Sequence, residues 1–74
     1  MWYSRLMDDD LVMAREHVRR GREIIVSQER LIERQKALHL NTTESEYTLS
    51  LFCITLKIFE DHYFALAVQA ESLR

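Results

Sequence analysis

Proline is absent from this chain and glycine occurs once, at Gly21. These residues build most of the tight turns that short strands and hairpins need, so a chain of 74 residues almost without them is left with a few long helices. The apolar spacing agrees. From Leu11, the residues Ala14, Val18, Gly21, Ile25, Gln28, Ile32, Gln35 and His39 follow at alternating steps of three and four, which is a heptad seam. Leu49, Phe52, Leu56, Phe59, Tyr63, Leu66, Ala70 and Leu73 form a second seam with no charged member. Between them lies Leu40-Asn41-Thr42-Thr43, where Asn41 leaves the first helix and Thr43 caps the second, with Glu46 completing a capping box. The expected organisation is one all-α domain over residues 1–74, with helix one at about 8–40, a turn at 41–43 and helix two at about 44–73. Asp8, Asp9 and Asp10 would form an acidic first turn for helix one, with Ser4 as an alternative, earlier cap.

So short a turn makes the helices antiparallel neighbours. The two seams then pair Val18 with Leu66, Ile25 with Phe59 and Ile32 with Phe52, and they set Gly21 against Tyr63 and Ala14 against Ala70. A glycine within a helix costs about 1 kcal/mol relative to alanine, and the close approach of a large side chain is a physical reason to keep one. Beside the seam the charges match, Arg22 with Glu60 and Asp8 with Arg74. Exposed pairs of this kind contribute only about 0–1 kcal/mol, so they report the register more than they stabilise it.

The chain is 47% hydrophobic and 30% charged, too apolar for a disordered tail. Its longest uncharged stretch, Tyr47 to Leu56, is too short for a membrane span, and the residues before Asp8-Asp9-Asp10 are too few to form the apolar core of a secretory signal, so no export is expected. The single cysteine, Cys53, forms neither an internal disulfide nor a Cys-x-x-Cys motif, which fits a reducing cytoplasm. A net charge of −2, spread along the chain, names no nucleic-acid or membrane partner.

Helix two carries a further apolar stripe that its own hairpin does not cover: Tyr47, Leu51, Ile54, Ile58, Ala65 and Val68, interrupted by Asp61. Ile24, Leu31 and Leu38 of helix one lie on the same side of the hairpin, the side away from Arg22 and Glu60. Nine such side chains make an apolar patch of roughly 500–700 Å², more than monomers usually leave wet. The simplest cover is a second copy, so that two hairpins form a four-helix bundle as a homodimer.

His17-Val18-Arg19-Arg20-Gly21, Gln28-Glu29-Arg30-Leu31-Ile32, Asn41-Thr42 and the run from Leu49 through Leu56 resemble the corresponding segments of a family of short, functionally uncharacterised bacterial helical-hairpin proteins. The resemblance spans His17 to Leu73. It implies the hairpin fold and brings no activity, substrate or cofactor.

Few residues invite chemistry. His17, His39 and His62 are the only imidazoles, and the expected register keeps them from converging on one metal ion. His17-Val18-Arg19-Arg20-Gly21 also resembles the His-x-x-Lys-Gly segment of histidine-phosphotransfer domains. That likeness implies an exposed phosphoacceptor at His17, a cation at Arg20 and room for a donor domain at Gly21. Arg15, Arg19 and Arg22 share a helical face that could follow a phosphate backbone in a small RNA-binding helical dimer, although Glu16, Glu23 and Glu29 are interspersed. Cys53, between Phe52 and Ile54, lies near Glu29, an anion that would not activate it, and is read as inert. No catalytic, cofactor-binding or metal site is expected. The reading is a non-enzymatic interaction or scaffold protein of the cytoplasm that self-associates and binds an unidentified protein partner through helix surfaces.

Overall fold

A computed structural model of the chain describes the backbone of residues 2–73 and the side chains of residues 9–73. Two helices, α1 (Trp2–Ala37) and α2 (Thr43–Ser72), pack along each other as an antiparallel hairpin. The seam read from the sequence is the line of contact. Among the described residues, the buried side chains of α1 are Ala14, Val18 and Ile32, and Leu11, Gly21, Ile25, Gln28 and Gln35 of the same series are half-buried. On α2 the positions from Leu49 to Ala70 of the second series are all half-buried. Each seam loses its last member, because His39 and Leu73 are exposed.

α1 starts at Trp2 instead of near residue 8, so Ser4 is not its cap and Asp8 to Asp10 lie inside the helix. Nothing in residues 2–8 breaks a helix, since neither Gly nor Pro occurs there. The expected pair of Asp8 with Arg74 lies outside the described residues.

The turn comes earlier than the sequence suggests, and its chemistry differs. His39 adopts the left-handed conformation at φ 58°. Its N–H donates to the Lys36 carbonyl at 3.0 Å, and the Leu40 N–H donates to the Gln35 carbonyl at 2.9 Å. These two bonds form a Schellman ending, in which a residue of positive φ returns two free carbonyls to the hydrogen-bonded set. Glycine is the usual residue there, and histidine is among the few others that tolerate it. Asn41 acts one step later: its Oδ1 accepts from the Thr43 N–H at 2.9 Å. Thr42 is the residue at the N-cap and makes no side-chain bond there, so the expected Thr43/Glu46 capping box is replaced by the Asn41 contact.

An earlier turn moves the pairing by about one helical turn. Gly21 faces Leu56 and Phe59, not Tyr63: a Cβ at Gly21 would stand 3.1 Å from Leu56 Cδ1 and 3.9 Å from Phe59 Cδ2. The flanking charges nonetheless meet as expected, Arg22 with Glu60 at 3.0 Å, and Lys36 with Glu46 at 3.7 Å extends the same edge toward the turn. The two observations are compatible because helical side chains tilt toward their own N terminus. Arg22 leans away from the turn and Glu60 leans back toward it, so their tips meet although the backbones have moved.

The result is a rod of 57 × 14 × 13 Å. Its radius of gyration is 16.9 Å, against about 11 Å for a compact chain of this length. A core one side chain thick follows, and no residue of α2 is fully buried.

Candidate functional site

At 100° per residue, the stripe through Tyr47, Leu51, Ile54, Ile58, Ala65 and Val68 lies across α2 from the seam that packs on α1. Every member is exposed. Tyr47, Ile54 and Ile58 keep 65%, 59% and 61% of their surface in contact with solvent. On α1, Ile24, Leu31 and Leu38 are exposed as well, a quarter-turn from the seam. A helix that is apolar on two opposite faces is fitted to lie between two neighbours. α1 occupies one face.

The polar groups beside the stripe are already satisfied within the helix. Thr48 donates its hydroxyl to the Glu44 carbonyl, Thr55 to Leu51 and Ser72 to Val68, at 3.0, 3.0 and 3.1 Å. A hydroxyl bonded to its own backbone loses less when water is removed than one bonded to solvent. Asp61, the one charge within the stripe, is held to one edge by Lys57, whose Nζ donates to Oδ1 at 3.0 Å. That contact raises the Lys57 pKa. These three hydroxyls can thus be covered without losing their hydrogen bonds.

The opposite edge of the hairpin is charged. Arg15, Arg22, Lys57 and Glu60 border an open groove of about 850 Å³, with Tyr63 and Phe64 at its wall. Phe64 is 69% exposed, and it falls outside the stripe identified from sequence. Val12, Met13, Val26 and Leu40 are further exposed apolar residues that the stripe does not include. For Phe64 the available signal was that α2 is apolar around most of its circumference, so a single stripe understates what it presents.

Two of the three arginines that share a helical face, Arg19 and Arg22, are occupied by carboxylates. Arg19 bonds Glu16 and Glu23, Arg20 reaches Glu16 at 3.4 Å, and Arg22 is taken by Glu60. The Arg19 hydrogen bond is the main cause that brings the Glu16 carboxyl down to about 2. These cations already have anionic partners, and a phosphate backbone would have to displace them.

His17 is exposed, with its ring tilted at 35° over Phe59 and the centroids 5.4 Å apart. The features that would accompany a phosphoacceptor are otherwise engaged. Gly21 accommodates Leu56, and Arg20 is paired with Glu16. Among the described residues, no three His, Cys, Asp or Glu side chains are placed to hold a metal ion. Cys53 is exposed with a free thiol.

No helix among the described residues is long and apolar enough to cross a membrane. Comparison of the chain with family models, curated proteins and solved structures finds no match.

Proposed function

We propose that this chain is a small cytoplasmic interaction protein that works as a homodimer, two hairpins burying the outer face of α2 against one another as a four-helix bundle. The observation that carries this reading is a 30-residue helix, apolar on two opposite sides, with no fully buried residue. The total surface supports it. The chain exposes 6176 Å², whereas a compact monomer of 8.9 kDa would expose about 4,800 Å². The surplus of about 1,400 Å² exceeds the roughly 800 Å² that each partner contributes to an ordinary stable interface. A lone cysteine that cannot close an internal disulfide is in keeping with a reducing compartment. Binding to other proteins follows from the same face: a partner helix of similar apolar pattern can exchange with the second copy across Leu51, Ile54 and Ile58.

The test is Ile58→Glu, which places a charge at the centre of the stripe and leaves the intramolecular seam intact. Light scattering behind size exclusion is expected to give a dimer for the native chain and a monomer of reduced helicity for the variant. A variant that remains a dimer, or a native chain that is monomeric and fully helical at micromolar concentration, refutes the proposal.

A further inference from the structure

The stripe has an order as well as an apolar character, and the order specifies how a second copy lies on it. Read along α2, it runs Tyr47, Leu51, Ile54, Ile58, Asp61, Ala65, Val68, at steps of four and three. The largest residue, Tyr47, is at one end, the smaller Ala65 and Val68 are at the other, and Asp61 stands just before them. In a parallel pairing each residue meets its own copy. Tyr47 would then oppose Tyr47, Ala65 would oppose Ala65, and the two Asp61 carboxylates would face each other in an apolar layer.

Resting on the homodimer reading above, we infer that α2 lies antiparallel against α2 of the second copy in one register, with Ile54 facing Ile58, Leu51 facing Asp61 and Tyr47 facing Ala65. Each layer then joins a larger to a smaller residue or two isoleucines, which keeps the layer volume even. Seam positions of one heptad phase meet those of the other, as antiparallel helix pairing requires. The helix dipoles also run in opposite directions.

Charge selects this register over its neighbours. The two Asp61 side chains are ten residues apart along the axis in the inferred arrangement, about 15 Å. Each remains at the edge of the stripe, where its own Lys57 holds it at 3.0 Å. Sliding the copies by one heptad in one direction brings the two Asp61 carboxylates to within about one turn of each other. Sliding in the other direction sets Asp61 against Glu44. Like charges within a partly dehydrated interface are costly, so a single charged residue in an apolar seam fixes both orientation and register.

Disulfide trapping tests the arrangement. In a Cys53→Ser background, a chain carrying Tyr47→Cys is mixed with one carrying Ala65→Cys and oxidised. The cysteines face each other in the mixed dimer, within the 4.4–6.8 Å Cα spacing that a disulfide needs. Within either homodimer the like positions are about 27 Å apart along the axis. A mixed disulfide in the mixture, with neither chain cross-linking alone, is the expected result. A homodisulfide in either chain alone overturns the inference, as does a mixture that sediments as dimers and yields no mixed disulfide. Glu44→Cys with Val68→Cys repeats the test at the ends of the stripe, away from the large Tyr47. Chains that sediment as monomers without oxidation refute the homodimer itself, which separates that failure from a wrong register.

Discussion

Gly21 is kept by what lies over it. A Cβ there would stand 3.1 Å from Leu56 Cδ1, the mobile end of a leucine, so a methyl group can be accommodated by a small rotation while a longer side chain cannot. Alanine also recovers helix propensity, about 1 kcal/mol. Gly21→Ala is therefore expected to be neutral or slightly stabilising in urea melts, and Gly21→Leu to lose about 1–3 kcal/mol through overpacking. Glu16 is the other residue with a distinct signature. Arg19 lowers its pKa to about 2 from a usual 4.5, so its contribution to stability is complete above the unfolded value of 4.5. That contribution disappears as the pH falls toward 2. The native chain is expected to lose thermal stability across that window, and Glu16→Gln to lose less of it. Equal slopes for the two proteins would show that the Arg19 contact contributes nothing.

At the scale of the elements, the two helices and their facing seams were legible because the heptad spacing is unbroken and nothing else competes with it. The outer stripe follows the same kind of spacing, and its six α2 residues are exposed, as are Ile24, Leu31 and Leu38 of α1. The turn was harder. Asn41 and two threonines carry strong local signals for a cap, whereas the residue that enters the left-handed region is His39, two positions earlier. Sequence gives little warning of that, since histidine at positive φ is held by the two carbonyl bonds it completes and not by its own preference. The register of the seam was misplaced as a direct result, while Arg22 and Glu60, long enough to reach, paired regardless. The strain at His39 is measurable. His39→Gly removes the steric cost of a left-handed side chain and returns some of it as unfolded-chain freedom, for an expected net gain of about 0.5–1 kcal/mol. His39→Val is expected to lose stability, and chemical denaturation of the three proteins ranks them.

For the whole molecule, the decisive relation is between surface and core. Three residues are buried among those described, and the rod measures 57 Å along its axis. A single hairpin of these proportions has little to set against the entropy of ordering its chain, while the outer face of α2 offers a second core of similar length. Folding and association are then one process, and helicity depends on concentration. Sedimentation equilibrium of the native chain from nanomolar to tens of micromolar, with circular dichroism at the same concentrations, measures this directly. The expected result is a species of twice 8.9 kDa at the upper end, losing mass and helicity together on dilution. A fully helical particle of single-chain mass at every concentration would contradict it.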